Sequence, residues 1–256
     1  MSTNIEKKIT KFIDTHKPGT VILASWLESM GISHELQKRY KRSGWIQSIG
    51  TGAYKRPNDT ISWEGALYSM QSQSCMSSIH AGGLTALSKQ GLSHYIRHNQ
   101  ENVYLFSLPK KTLPAWFKNY NWQQQIEYIR TSMLPDKVEL TAFNEKNFTI
   151  EISSAERAIL ESLYLAPEKM DIVECYQILE GLVNLRPKVL QNLLENCSSV
   201  KVKRLFLYMS HKIGHQWFDF LDQAKIDLGK GHRSISKGGV YLASYNMTLP
   251  EELVKL

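Results

Sequence analysis

Residues 33–57 read SHELQKRYKRSGWIQSIGTGAYKRP, and this stretch decides the fold of the N-terminal part of the chain. Ser33 is typical of a helix N-cap and Gly44 of a helix end, so a helix over 34–43 is predicted between them. The segments on either side of Gly50-Thr51-Gly52 predict a two-stranded hairpin. A short cationic helix followed by a hairpin is the second half of a winged helix-turn-helix.

The sequence before this stretch supplies the remaining helices of such a domain. Apolar residues recur at helical spacing from Ile5 to Ile13, with lysines on the other side, which predicts an amphipathic first helix. Pro18-Gly19 ends that helix, and a short strand over 20–23 and a helix over 24–30 are expected to follow. The predicted element order is therefore helix, helix, turn, helix and hairpin.

The predicted third helix carries a cationic face. Leu36 and Tyr40 lie one turn apart and are expected to face the core, which leaves the charged residues on the opposite side and the flanks. Duplex recognition needs cations for phosphates and Gln, Arg or Lys for base edges. We therefore predict that this helix and the hairpin wing bind DNA through His34, Gln37, Lys38, Arg39, Lys41, Arg42, Thr51, Lys55 and Arg56.

The distribution of charge favours DNA over the alternatives, which are a merely solvated face and a protein-binding winged helix. The formal net charge of the 256 residues is +7, and the first 58 residues hold ten Lys and Arg against four acidic residues. The remaining residues are nearly neutral. A basic module on a neutral body attracts a polyanion through one face of the molecule.

After residue 58 the pattern changes twice. Strand-like segments over 103–108, 138–143 and 148–152, with helices that begin near residues 62 and 83, predict a mixed α/β middle over 59–152. A capping box over 153–156 opens a mainly helical region over 153–256, with loop and short strands in its tail. We predict the α/β class, with a winged helix-turn-helix over 1–58 as the first of three parts.

Other protein classes find little support in the composition. The first residues lack the features of a signal peptide, and no apolar run is long enough to span a membrane, so we expect a cytoplasmic protein. Cys75, Cys175 and Cys197 lie far apart, so we expect reduced thiols rather than disulfides or a cysteine zinc site.

The patterns that carry catalysis are also missing. His211 and His215 are four residues apart, but the Glu of HExxH is absent and Gly214 is expected to end the helix between them. Residues 229–231 lack the spacing of a Walker phosphate loop, and no G-x-S-x-G elbow occurs. We expect no enzyme activity, no metal and no cofactor.

Eight segments stand in a characteristic order between about residues 5 and 250. They are GAYKRP (52–57), SWEGALY (62–68), HAGGLTAL (80–87), LPAWF (113–117), SAERAILE (154–161), VKRLFLY (202–208), GHQWF (214–218) and LGKGHR (228–233). This ordered set resembles the AbiEi family of bacterial antitoxins from type IV toxin-antitoxin, phage abortive-infection systems. It departs from the family pattern at Asn58, where Gly is expected, and at His232, where Lys is commoner.

The resemblance implies a protein with two roles. The winged helix represses the protein's own operon by binding inverted repeats in operator DNA, and the C-terminal antitoxin region neutralises a nucleotidyltransferase-like toxin, with or without direct binding. We expect Leu205, Met209 and Ile213 to face inward, which leaves four cations of the same segment exposed. The predicted partner-binding residues are Lys203, Arg204, His211, Lys212, Lys230 and Arg233.

Three occupants of this basic face stay open: nucleic acid shared with the toxin, an acidic patch on the partner, and solvent alone. Two further functions are alternatives for the whole chain. One is a ligand-responsive winged-helix transcription regulator without a toxin partner, which the identity of the neighbouring gene distinguishes. The other is a nucleic-acid-processing enzyme, which needs a metal or nucleophile cluster.

Overall fold

A computed structural model describes residues 2–74, 76, 78–93 and 102–256, with the backbone alone for residues 2–8. The chain is 44% helix and 16% strand, which confirms the α/β class. Cys175 and Cys197 are buried free thiols, and Cys75 lies outside the described residues. Within the described ranges, none of the helices combines the length and the apolar character that a bilayer span requires.

The N-terminal elements follow the order of the predicted winged helix-turn-helix. Strand β1 lies at the edge of a small three-stranded sheet of order β1-β3-β2, in which the hairpin forms the wing. The elements are α1 (Ser2–Thr15), β1 (Ile22–Leu23), α2 (Ala24–Ser29), α3 (His34–Arg42), β2 (Gln47–Gly50) and β3 (Ala53–Lys55).

This module has a hydrophobic core of its own. Leu36 and Tyr40 of α3 pack into it, as their one-turn spacing predicts, together with Phe12, Ile22, Leu27, Ile32 and Ile46. Gly44 follows α3 with a φ of 74°, a left-handed conformation that glycine adopts without strain and that ends the helix. Because one side of α3 faces this core, its charged side is turned outward.

The middle of the chain is built around a five-stranded mixed sheet of order β6-β5-β4-β8-β7. Strands β5, β7 and β8 are predicted by the sequence, whereas β4 and β6 are not. A two-residue strand such as β4 is too short to show an alternating pattern. The elements are α4 (Trp63–Ser72), β4 (His80–Ala81), α5 (Gly83–Lys89), β5 (Val103–Ser107), α6 (Ala115–Asn119), β6 (Ile126–Arg130), β7 (Leu140–Asn144) and β8 (Thr149–Ser153).

The C-terminal part consists of helices that share one continuous core with the sheet. Helix α7 packs against α5, α8, α9 and α10, and a small tail sheet of order β10-β11-β9 follows. The elements are α7 (Ala155–Leu165), α8 (Ile172–Gly181), α9 (Pro187–Glu195), α10 (Val200–Ile213), β9 (Arg233–Ser234), β10 (Val240–Leu242), β11 (Met247–Leu249) and α11 (Glu251–Lys255).

Helix α7 begins one residue later than the predicted capping box implies. Ser154, rather than Ser153, is the N-cap and accepts a hydrogen bond from the Arg157 backbone N–H at 3.4 Å. Glu156 does not reach back to the cap, because both of its carboxylate oxygens accept hydrogen bonds from Arg186. The predicted helix is therefore present, but the reciprocal side-chain bond of a capping box is replaced by an ion pair.

A buried carboxylate on α7 joins this helix to the sheet and to α5. Glu161 Oε1 accepts hydrogen bonds from His80 Nε2 at 3.0 Å and from Arg157 Nε at 2.8 Å. Its Oε2 accepts from the Gly83 N–H at 3.0 Å and from Ser153 Oγ at 2.7 Å. Burial by itself raises the pKa of Glu161, but His80, Arg157 and Ser153 outweigh burial and lower that pKa to about 2.

We expect Glu161→Gln to lower the free energy of unfolding by about 3–5 kcal/mol near neutral pH, because an amide NH₂ then faces groups that are themselves donors. The measurement is urea unfolding. Glu180→Gln is the matched control, since Glu180 is an exposed residue of the neighbouring helix α8.

The pH dependence separates the carboxylate from simple packing. The folded pKa of Glu161 lies below its ordinary value of 4.5, so its stabilising charge is complete above about pH 4.5 and is lost as the pH falls through about 2. The gap in stability between wild type and Glu161→Gln must therefore narrow on acidification from about pH 5 toward pH 3. A gap that stays constant over this interval contradicts the assignment.

Candidate nucleic-acid interface

Helix α3 presents a continuous cationic face to solvent. His34, Lys38, Arg39, Lys41 and Arg42 are all exposed. The face is produced by the sequence itself, because the buried pair described above occupies only one stripe of this nine-residue helix. The side chains that a duplex needs for phosphate contact are therefore accessible.

Most of these cations are not engaged by carboxylates. Lys38 Nζ lies 2.9 Å from Glu35 Oε1, and this exposed pair lowers the pKa of Glu35 through the hydrogen bond and the charge of Lys38. An exposed pair of this kind stabilises little and exchanges readily for another anion. Among the described residues, no carboxylate pairs with Arg39, Lys41 or Arg42. The face thus retains its positive charge.

The wing adds a smaller contribution. Thr51 is exposed at the hairpin turn, beside Gly52 with its φ of 74°. Lys55 and Arg56 are half-buried, and Lys55 Nζ donates to the Asp59 carbonyl at 3.0 Å. Thr51 and Arg56 are therefore freer to contact a neighbouring backbone than Lys55 is.

The prediction that Gln37 contacts DNA is wrong. Its side chain is fully buried, and its Nε2 donates to the backbone carbonyls of Ala24 and Ile32, each at 3.1 Å. Those carbonyls belong to the start of α2 and to the turn between α2 and α3. Gln37 therefore fastens the two helices of the helix-turn-helix together, on the side of α3 that faces away from the cations.

Two features of this region were not predicted. Trp45 follows α3 directly and is 44% exposed, and a Trp immediately after a helix-ending Gly is the signal that marks it in the sequence. The wing also packs tightly against α6, because a Cβ at Gly50 would lie 2.7 Å from Trp116 Cβ. Since no larger residue fits there, the orientation of the wing depends on the middle of the chain.

The predicted C-terminal cations fall into two groups, and the expectation that Lys203 and Arg204 are exposed is wrong. Both are buried in α10. Burial raises the pKa of the Cys197 thiol, and the backbone of Ser199 and the charge of Lys203 oppose that rise. Arg204 donates to the carbonyls of Leu228, Gly229, Gly231 and Asn246 at 2.8–3.0 Å. It therefore holds the tail in place.

The other four predicted residues, His211, Lys212, Lys230 and Arg233, are exposed. His211 stacks on Phe218 with ring centroids 5.7 Å apart, and Lys212 Nζ donates to the Val254 carbonyl at 3.0 Å. These two residues lie on the last turn of α10, whereas the tail loop that carries Lys230 is fastened to Arg204, two turns earlier. The exposed cations therefore form two separate groups, one on the last turn of α10 and one in the tail that Arg204 holds in place.

The two histidines at the end of α10 lie in different surroundings. Gly214, with a φ of 78°, ends the helix after Ile213, and His215 is buried with Nε2 donating to the Leu179 carbonyl at 2.8 Å. In the part of the chain that the structure describes, no group of three His, Cys, Asp or Glu side chains is arranged to hold a metal ion.

Two family models together cover almost the whole chain. Residues 5–98 match the model described as the N-terminal domain of the AbiEi antitoxin transcriptional regulator, and residues 100–250 match the model of the AbiEi antitoxin transcriptional regulator of type IV toxin-antitoxin systems. The chain belongs to the AbiEi family. AbiEi proteins are regulatory antitoxins rather than a family of enzymes, so transcription regulation and antitoxin action are the functions of the family.

A solved structure has a fold similar to that of this AbiEi chain. It is the crystal structure of the RV2827C protein from Mycobacterium tuberculosis, with a TM-score of 0.55 and 14% sequence identity. The similarity covers 92% of this chain and 89% of that protein. At this identity the comparison concerns the fold alone. No curated protein matches the chain.

We expect Gln37→Ala to lower the free energy of unfolding of this AbiEi chain by about 1–3 kcal/mol, because two buried carbonyls lose their donor. Lys38→Ala on the exposed face of the same helix should change stability by less than about 0.5 kcal/mol. Urea unfolding of both variants measures the difference. If Gln37→Ala leaves stability unchanged, the structural role given to this side chain is wrong.

Proposed function

We propose that this AbiEi-family chain is an antitoxin that also represses its own operon, by binding inverted repeats in operator DNA through α3 and the wing. The observation that supports the repressor role is the exposed cationic face of α3, which belongs to a module with its own core. This core holds α3 in a fixed position within the module, while Val21, Leu23 and Ala53 of the same module pack into the larger core. A rigid helix with a row of cations fits the major groove of a duplex.

The contacts follow from the positions of the side chains. Lys38, Lys41 and Arg42 reach phosphates and base edges on either wall of the groove, with His34 and Arg39 at the flanks. Arg56 and Thr51 of the wing contact the neighbouring backbone. Phosphate contacts release counterions, so binding by this surface is strongly dependent on salt.

We expect the combined substitution Lys38→Ala, Lys41→Ala and Arg42→Ala to weaken binding to a duplex that carries the promoter of the chain's own operon. The slope of log affinity against log salt should fall by about 3, because each lost phosphate contact removes about one unit. Fluorescence anisotropy over a series of salt concentrations measures both quantities.

The matched control is the pair Lys146→Ala and Lys188→Ala, which removes two exposed lysines from the β7–β8 turn and from α9. This control should leave the salt slope within error of the wild-type slope. A triple variant of α3 that binds the promoter like wild type excludes α3 as the recognition helix.

The second proposed role belongs to the C-terminal region, which neutralises a nucleotidyltransferase-like toxin. Its support is the AbiEi family itself and the four cations that remain exposed after Lys203 and Arg204 are assigned to the core. Direct binding of the toxin is one route to neutralisation, and opposition through a shared substrate is another.

We expect His211→Ala with Lys212→Ala, or Lys230→Ala with Arg233→Ala, to reduce rescue of cells that express the neighbouring toxin gene. All four side chains are exposed, so the loss should occur without loss of soluble protein. The measurement is colony formation under toxin induction, with antitoxin levels matched by immunoblot. The triple variant of α3 should rescue as well as wild type. Full rescue by both double variants contradicts the role given to these cations.

A further inference from the structure

The small tail sheet exposes one face whose aromatic side chains the proposed function does not use. Thr248 on the central strand β11 pairs with Tyr241 on one side and with Ser234 on the other, so these three side chains share a face of the sheet. His232 Nε2 lies 2.8 Å from Thr248 Oγ1, and the His232 and Tyr241 rings contact each other with centroids 5.5 Å apart. Arg233 precedes Ser234 on the edge strand β9 and pairs with the buried Met247, so it projects from the other side of that edge. We call this face, together with the exposed tail cations Lys230, Arg233 and Lys237, the tail surface.

The tail surface is entirely without acidic residues. Residues 228–249 contain no Asp or Glu, and Lys230, Arg233 and Lys237 are all exposed. None of the three forms an ion pair within the described part of the chain. The three cations are therefore not paired with carboxylates, and the acidic residue nearest to them along the chain, Asp227, accepts a hydrogen bond from the Gly229 N–H at 2.8 Å.

A buried guanidinium adds to this charge from below. Arg204 donates four hydrogen bonds, but all four acceptors are backbone carbonyls, so no carboxylate among the described residues balances its charge. Gly229 and Gly231, with φ of 61° and 82°, allow the loop to turn these carbonyls inward. Burial lowers the pKa of Arg204, and the positive charge of nearby Arg233 lowers it further. Both guanidinium groups lie beside Gly231: Arg204 Nη1 donates to its carbonyl at 2.8 Å, and Arg233 Nη1 is 3.7 Å from the position that a Cβ on Gly231 would take.

The centre of the tail surface is aromatic. Tyr241 is 57% exposed, so more than half of this aromatic side chain is accessible to a ligand. Its hydroxyl donates to Asn246 Oδ1 at 3.1 Å, which restricts rotation of the side chain while leaving much of the ring uncovered. A fixed, exposed aromatic ring beside an imidazole is a surface on which an unpaired base can stack.

We propose that the tail surface binds single-stranded RNA or DNA, with a base stacked on Tyr241 and His232 and the backbone phosphates on Lys230, Arg233 and Lys237. A duplex does not fit this arrangement, because its bases are stacked on one another and offer no free face. An acidic protein surface satisfies the cations but gives no reason for the exposed ring. This assignment rests on the proposed function of the C-terminal region and names the class of molecule that it contacts.

The test uses the full chain that carries the triple substitution in α3, so that the winged helix no longer contributes to binding. The probes are a fluorescein-labelled oligouridine decamer, the corresponding oligothymidine decamer, and a DNA duplex of the same length as control. We expect both single strands to bind and the duplex to bind at least tenfold more weakly. The two single-stranded probes show whether the 2′-hydroxyl contributes.

Variants of the tail surface separate stacking from charge. Tyr241→Ala should weaken single-strand binding by about tenfold, whereas Tyr241→Phe, which keeps the ring, should bind within about twofold of the parent. Lys230→Ala with Arg233→Ala and Lys237→Ala should lower the salt slope by about 2. Lys146→Ala with Lys188→Ala, the control pair used for α3, should leave both quantities unchanged.

Equal binding of the parent and Tyr241→Ala, or preference for the duplex, overturns the assignment. Absence of single-strand binding together with loss of toxin rescue in Lys230→Ala, Arg233→Ala identifies the surface as a protein contact, and also overturns it. Promoter binding by the chain with a native α3 is measured separately. Failure of the repressor function is therefore distinguishable from failure of this assignment.

Discussion

The buried carboxylate of Glu161 fixes how the sheet, α5 and α7 fit together. It is fully buried, and four groups donate hydrogen bonds to it. Arg157 lies on α7 itself, and the other three come from distant points of the chain: His80 on β4, Gly83 at the start of α5, and Ser153 at the end of β8. A buried charge is tolerated only when its hydrogen bonds are complete. The sheet, α5 and α7 therefore have one arrangement in which this group is satisfied. Two of the family-like segments, 80–87 and 154–161, meet at this point.

The wing and the tail are positioned indirectly by this arrangement, through the core that surrounds it. The five-stranded sheet and the helices that cover it share one core, and α6 belongs to that core through Trp116 and Phe117. Because Gly50 lies against Trp116, the hairpin wing is oriented by the middle of the chain as well as by its own module. Helix α10 lies in the same core and positions the tail through Arg204. Both candidate interfaces therefore contact elements of the same core, the wing through α6 and the tail through α10.

The basic residues of this chain serve two different purposes, and their exposure separates them. Arg157 and Arg204 are buried and donate their hydrogen bonds to carboxylate or carbonyl oxygens of the protein. The cations of α3 and of the tail surface remain exposed. The sequence does not distinguish the two groups, because the same residue type, Lys or Arg, can pair with a group inside the protein or with an external anion.

The order of elements in the first 58 residues followed from local pattern alone, because capping residues, turn glycines and the spacing of Leu36 and Tyr40 act within a few residues of one another. Gln37 and Arg204 did not follow, because their partners are brought together only by packing: the α2–α3 turn covers Gln37, and a tail more than 20 residues away covers Arg204. Helix α10 is buried on nearly all sides, so the helical spacing of its apolar residues does not identify an exposed face. Local sequence patterns determine the helices and the basic module. The surroundings of the buried carboxylate, the packing of the wing against α6 and the exposed aromatic face of the tail depend on contacts between distant residues, which no local pattern shows.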